Sequence, residues 1–420
     1  MRVLQVFNRY RQRGGEETVV ALEAELLRQN GHHVECLSAS TSTLDHASAL
    51  HLLAAGLGTV WSVNGYSEVW EAVQRFSPDV LHVHNTFPLL SPSIYWAASR
   101  AKIPVVCTLH NFRLTCANAC LVRDGKTCSL CVGSFGWAAL RHRCFRSSVS
   151  QTSAIVAMNA FHRWVGTYQQ KVQAFIALSL FSHNIFIQAG LPPERVWVKP
   201  NFVPEQNIGE ADRSPDMLYV GEISRMKGVH ILLNAWQTMA LPTYRLTLIG
   251  EGPDRRELQE KYAAMKNIIW LGQVAHGQVL ETMAASRWLV LPSLCFENFP
   301  MVLLEAWSVG TPVIAPNHGA FPDIISVGEN GFLFTPGDPH ALREALRNVA
   351  SIDSRTWKGM SSWARRKCRS TYAAKENYRQ LISIYRKAMA RQDYFPRQAP
   401  ESHSERNDSM LKIEAGNAKP

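Results

Sequence analysis

Pro292-Ser-Leu-Cys-Phe-Glu297-Asn-Phe-Pro-Met-Val-Leu-Leu-Glu305-Ala-Trp-Ser-Val-Gly310-Thr-Pro312-Val313 is the stretch whose reading decides the fold. It leaves an apolar run at 289–291 and reads as strand, loop, helix, turn and strand, one cycle of a parallel α/β sheet. Glu297 stands in the loop beyond the strand, near the helix start, and Glu305 lies eight residues later inside the helix. Ligands of open α/β sheets bind outside the carboxyl ends of the strands, where this loop must lie. Two ionised carboxylates there offer acceptors only and suit a ligand rich in hydroxyls. The free amides of the helix start can hold a phosphate. Taken alone, the same spacing also fits two ordinary surface glutamates.

Outward from this segment the alternation continues over the whole chain. Strands are expected at 3–7, 80–84, 105–109 and 175–178, then at 217–220, 246–249, 268–271, 289–291 and 313–315, with helical patterns between them. This predicts two doubly wound parallel sheets in tandem, joined near 200–205. A length of 420 residues agrees with two domains. With 46% hydrophobic and 19% charged residues the composition excludes a disordered chain, and the polar stretch at 393–420 is expected to be a disordered tail. No apolar run approaches the roughly 20 residues of a membrane span. Met1-Arg-Val-Leu-Gln-Val-Phe lacks the long apolar core of a signal peptide, so a cytoplasmic location is expected.

The net charge of +10 fits an anionic partner: nucleic acid, a nucleotide-sugar or an acidic membrane surface. Much of the excess lies at 355–391, including Arg365, Arg366, Lys367 and Arg369, either as a solvated helix face or as a membrane-facing patch. Cys116, Cys120, Cys128, Cys131 and Cys144 crowd together. Cys128-Ser-Leu-Cys131 with Cys116 and Cys144 on either side has the spacing of a structural Zn²⁺ site, and four thiolates would leave it no open position. The alternative is a set of reduced, buried thiols.

Three further motifs bear on chemistry. Gly14-Gly15 precedes Glu16, Glu17 and an apolar helix ending at Asn30-Gly31, so its backbone can approach a phosphate at a helix N-terminus. His110 ends the strand at 105–109, where it can reach a cleft and donate to a developing anion. Leu248-Ile-Gly250-Glu-Gly252-Pro253 is a poor dinucleotide fingerprint, because Arg255 takes the third glycine position. Lys227 is followed by Gly228, which excludes a Walker A loop, and no Asp-x-Asp occurs. His82 and His84 share one face of their strand and read as structural or acceptor-lining.

The Glu297-to-Glu305 segment ending Gly310-Thr311-Pro312-Val313 resembles the signature of the family-4 glycosyltransferases of the GT-B fold. Capsule- and exopolysaccharide-type members are similar in carrying a Cys-rich insertion with Arg-His-Arg-Cys-Phe-Arg, here at 141–146. The resemblance implies two Rossmann-like domains facing a cleft. They would be an acceptor-side domain at 1–200 with the insertion at about 112–150, and a nucleotide-sugar domain at 201–368. A helix at 369–392 would return to the first domain. It also implies that Glu297 contacts the donor sugar and Glu305 the ribose, while Asn298, Phe299, Pro300 and Met301 line sugar and phosphates. Arg225 and Lys227 would face the pyrophosphate, Gly250, Glu251 and Gly252 the nucleotide, Gly14 and Gly15 a phosphate, and His110 the sugar. Two positions depart from the pattern. Glu222 stands where the family has Arg and is expected to point away, and Asn111 replaces the usual Asp.

The implied activity is hexosyl transfer with retention from a nucleotide-sugar to a glycan or lipid-linked oligosaccharide in polysaccharide biosynthesis. It needs no cofactor and would operate at the inner face of the membrane. The alternatives are a GT-B epimerase or phosphorylase, or a zinc-containing nucleic-acid binder. The last is disfavoured because the ordered motifs in both halves have no role in it.

Overall fold

The computed structural model describes residues 1–9, 14–40, 56–206, 213–239 and 243–392; the expected tail at 393–420 lies outside them. β1 (Arg2–Arg9) buries all six residues between its charged ends, the pattern of a parallel strand covered on both faces. It pairs with β2 (His33–Ser40) and β3 (Val80–Val83). β4 (Val105–Leu109), β7 (Ala174–Ala177) and β8 (Val196–Val198) extend that sheet in the order β2-β1-β3-β4-β7-β8. Between β4 and β7 lies a small antiparallel hairpin, β5 (Val122–Arg123) with β6 (Lys126–Thr127).

The second sheet is built from β9 (Ser214–Val220), β10 (Leu246–Ile249), β11 (Ile268–Gly272), β12 (Ser286–Val290), β13 (Val313–Pro316) and β14 (Gly331–Phe334). Its order, β11-β10-β9-β12-β13-β14, is that of a doubly wound dinucleotide-type sheet. The architecture is therefore α/β with two parallel six-stranded sheets. The sequence reading missed β2, β8 and β14, and each is an edge strand. β2 mixes polar and apolar residues along its length, while β8 and β14 are apolar but only three and four residues long, too short to separate from loops.

One apolar cluster runs through both halves, taking in Val3, Val106 and Ile176, then Leu218 and Leu289, then Leu381 and Tyr385. Leu381 and Tyr385 belong to the helix Ala374–Gln392, which packs on the helix Gly15–Gln29 and on β4 and β7 of the first sheet. Three cations of the basic stretch at 355–391 serve this packing, while Arg355, Lys358, Arg366, Arg369, Lys375, Arg379, Arg386 and Lys387 are exposed. Arg365 donates to Val309 O at 2.9 Å, Lys367 to Ile324 O at 3.0 Å, and Arg391 to Glu194 O at 2.6 Å. Among the described residues no helix is long and apolar enough to cross a membrane.

The return helix closes over a fully buried ion pair. Lys199 Nζ lies 2.6 Å from Glu23 Oε1 and 3.2 Å from Asn377 Oδ1, and Asn377 donates to Pro200 O at 2.9 Å. Burial pushes the Glu23 carboxyl up, but Lys199 outweighs it and holds the acid below its usual range. Its contribution to stability is therefore present at pH above the ordinary value of 4.5 and is lost on acidification below it. Lys199→Met strands a buried carboxylate and is expected to cost about 3–5 kcal/mol in urea unfolding at neutral pH. Lys199→Met with Glu23→Leu should recover most of that loss, and a single-variant loss under about 1 kcal/mol would refute the assignment.

Candidate functional site

The chain order reverses between β1 and β3 in the first sheet and between β9 and β12 in the second, so both sheets open a crevice at their carboxyl edges. The two crevices face one cleft of about 870 Å³, within the roughly 300–1,000 Å³ of small-molecule sites.

Two helix starts meet in it. The helix Gly15–Gln29 begins at Gly14 and the helix Met301–Ser308 at Pro300, and neither has a side-chain cap. A Cβ on Gly15 would touch Met301 Cγ at 3.6 Å, so the two N-termini abut. Each leaves backbone N–H groups without helical partners and carries about half a positive charge. Together they make an anion site with donors from both halves of the molecule. Glu16 sits beside it, hydrogen-bonded to Asn85. Burial and neighbouring Glu17 raise its carboxyl to about 8 against the pull of Arg113, which lowers the charge it presents to an anion at neutral pH.

On the second sheet the loop after β9 must pass close to the loop after β12. Gly228, at φ +71°, allows this: a Cβ there would lie 1.9 Å from Pro292 O. The turn carries Lys227, whose Nζ lies 2.7 Å from Glu297 Oε1. Glu297 also accepts from Ser293 Oγ at 2.8 Å and Cys295 Sγ at 3.6 Å. Burial pushes Glu297 up, yet Lys227 and these donors hold it below its usual range, so it is an ionised acceptor. Burial works against Lys227 too, and Glu297 reverses it to keep the ammonium charged. Glu305 differs. Burial raises it, and His276 Nδ1 lies 3.9 Å from its Oε1.

Of the residues singled out from the sequence, Gly14, Gly15, His110, Lys227, Gly250, Glu251, Glu297, Asn298, Phe299, Pro300, Met301 and Glu305 line the cleft. Arg225 is exposed outside it. Gly252 is also outside, its α-carbon packed so that a Cβ would meet Ile223 O at 2.2 Å. Glu222, expected to turn away, lines the cleft with Asn111, and its Oε2 accepts from Ser224 Oγ at 3.0 Å. The sequence reading missed Asn201, which donates to Phe299 O at 3.1 Å. It also missed the cross-domain bond from Asn298 Nδ2 to Leu109 O at 3.1 Å. Asn201 stood in a Lys-Pro-Asn turn read only as the join between domains.

The zinc reading is corrected. Among the described residues the one group of His, Cys, Asp and Glu with ligand atoms all within 4.8 Å is Glu23, His82 and His84, not Cys116, Cys128, Cys131 and Cys144. Cys116 Sγ donates to Asn118 Oδ1 at 2.8 Å, and burial raises its thiol to about 11. Burial likewise raises Cys131 and Cys144.

Two family models match the chain: Glycosyltransferase Family 4 over residues 13–207 and Glycosyl transferases group 1 over 204–364. A putative colanic acid biosynthesis glycosyltransferase of Salmonella typhimurium is 26% identical over 46% of this chain and 52% of its own. A phosphatidyl-myo-inositol mannosyltransferase of Mycobacterium leprae is 24% identical over 79% of this chain and 83% of its own. The chain thus spans about half the length of the first relative and most of the second. Among solved structures, Anabaena HepE in complex with UDP matches with TM-score 0.64 at 20% identity, over 91% of this chain and 99% of that one. A sucrose-phosphate synthase of Thermosynechococcus elongatus matches with TM-score 0.68 at 16% identity, over 93% and 100%. At these identities the structural likeness is one of fold.

Gly228→Ala must displace Pro292 or strain the backbone and is expected to cost at least about 2 kcal/mol in thermal unfolding. Gly14→Ala, with nothing within 4 Å of its Cβ, should cost under about 1 kcal/mol. Equal losses would show that the tight approach is not what sets the glycine at 228.

Proposed function

The chain belongs to the GT-B glycosyltransferases, with a family 4 first half and a group 1 second half. From that premise we propose that it transfers a hexosyl group, with retention, from a nucleoside diphosphate sugar to a hydroxyl of a glycan or lipid-linked acceptor in polysaccharide biosynthesis. The observation that carries the reading is the single cleft in which two uncapped helix starts adjoin two half-buried glutamates. One end suits a diphosphate and the other a set of hydroxyls. UDP as the nucleotide is supported by the UDP complex of HepE.

Glu297 accepts from hydroxyls of the donor sugar and Glu305 from those of the ribose. As the anomeric bond breaks, the departing diphosphate gains charge. The amides at 15–16 and 301–302, with Lys227, stabilise it where they are already oriented. No side chain of the enzyme is placed as a nucleophile in this reading, so the acceptor hydroxyl attacks from the face the diphosphate leaves. Closure of the two sheets over the cleft limits hydrolysis. No cofactor enters the reaction.

An anionic membrane surface is the partner on the acceptor side. The face is carried by the insertion, where Trp137 is 72% exposed. Trp164, on the helix packed against that of Trp137, is 80% exposed. Arg141, Arg143 and Arg146 stand close in sequence, and exposed tryptophan with arginine suits a headgroup layer.

Glu305→Ala is expected to weaken UDP binding by about 10–100-fold in titration calorimetry, the worth of hydrogen bonds to a charged group. Unchanged UDP affinity would sink the donor site, and an inverted anomeric centre in the product by NMR would sink retention. Trp137→Ser with Trp164→Ser should abolish most co-sedimentation with vesicles containing phosphatidylglycerol while leaving UDP affinity intact. Undiminished sedimentation would remove the membrane face.

A further inference from the structure

We infer that Glu23 and His84 are positioning residues that fix the tautomer of His110, so that its ring meets the cleft through an unprotonated Nδ1. The inference rests on the reading of the cleft as the donor site. The relay is set out in three contacts. Lys199 Nζ lies 2.6 Å from Glu23 Oε1; Glu23 Oε2 faces His84 Nε2 at 3.9 Å; His84 Nδ1 lies 3.0 Å from His110 Nε2.

Each contact dictates the next. Glu23, beside the Lys199 ammonium, is a carboxylate and can only accept. Its Oε2 and the His84 Nε2 are both buried and neither has a hydrogen bond. A lone pair on His84 Nε2 would therefore oppose carboxylate lone pairs in a dry interior, whereas a proton there is attracted to them. His84 carries its proton on Nε2. Burial, reinforced by His82 and Lys199, holds its ring neutral against the pull of Glu23, so Nδ1 is the acceptor. His110 Nε2 must then donate to it. The His110 ring is neutral as well, chiefly through burial, and its one proton is spent on that bond.

The other groups packed on this chain do not compete. His82 Nε2 is bonded to Thr108 Oγ1 at 2.8 Å and its Nδ1 to Tyr385 OH at 2.7 Å, although that Nδ1 also lies 3.8 Å from Glu23 Oε2. His110 lines the cleft. Its Nδ1 accepts a hydroxyl of the donor sugar. This reverses the role expected from the sequence, in which the histidine donates to a developing anion.

Glu23→Gln provides the decisive perturbation. Lys199 only donates, so the amide oxygen takes the Oε1 place and the NH₂ faces His84 Nε2. That donor moves the His84 proton to Nδ1 and the His110 proton to its own Nδ1. Long-range ¹H–¹⁵N correlation of histidine-labelled, full-length enzyme at pH 7.5 reads both tautomers without substrate. The expected result is Nε2–H for His84 and His110 in the wild type and Nδ1–H for both in the variant. With it, kcat should fall at least tenfold while UDP affinity stays within twofold. A wild-type His110 protonated on Nδ1 overturns the relay, and this measurement stands even where the variant fails to fold. An unchanged His110 tautomer in a folded variant overturns it too. A switched tautomer with unchanged kcat refutes the positioning role. Loss of UDP binding by the wild type would defeat the donor-site reading and leave the tautomer result standing.

Discussion

The buried pair of Glu23 and Lys199 is the constraint around which the molecule is arranged. It joins the first helix, the segment that leaves the first sheet, and, through Asn377, the helix that returns from the second domain. A charge pair with no exposure is a weak source of net stability, because both ions lose their hydration. What it supplies is register. The lysine can be satisfied only when the carboxylate of one domain and the amide of the return helix are both in place. The apolar cluster from Val3 to Tyr385 gives the driving force, and the ion pair selects which packing of it is allowed. The same carboxylate turns its second oxygen to His84, so the device that docks the return helix also faces the ring at the cleft.

The cleft itself follows from topology. Two parallel sheets with reversals at β1/β3 and β9/β12 must each present helix starts and loop amides at one edge. Facing the edges together places the helix starting at Gly15 against the helix starting at Met301. The bond from Asn298 to Leu109 O spans the two sheets next to Glu297. A displacement of one domain would therefore be felt at the carboxylate.

Much of this was legible in the sequence, and the gaps have physical causes. Interior strands such as 246–249 and 313–315 are covered on both faces and announce themselves as apolar runs. β2 is of mixed pattern, and β8 and β14 are apolar but only three and four residues long, so none of these edges separates from a loop. Glu297 and Glu305 were readable because a strand–loop–helix unit puts them at a known place. Asn201 and the cross-domain bond of Asn298 were not, since the partners Phe299 and Leu109 lie 98 and 189 residues away. The cysteine spacing misled for a related reason. Closeness along the chain does not make four sulfurs converge, and Cys116 is turned toward Asn118. Within the basic stretch at 355–391 most cations are exposed, and composition does not tell these from the ones that cap a carbonyl, as Arg365 and Lys367 do.

The phosphate end of the cleft raises a question of charge that its sequence leaves open. Glu222 lines the cleft and Arg225 does not, and the one lysine at hand is already paired with Glu297. Lys227 is paired with Glu297, so it adds less to the helix amides than an unpaired cation would. Among the described residues the attraction comes chiefly from the backbone, about half a charge from each of two helix starts. Such dipoles work best where the carboxylates beside them carry little charge. Burial of Glu16 serves that end, since its carboxyl is raised to about 8. The pocket thus holds a diphosphate by orientation of amides more than by cations. It tolerates an acid at 222 because that carboxylate is exposed and bound to Ser224, where solvent screens it.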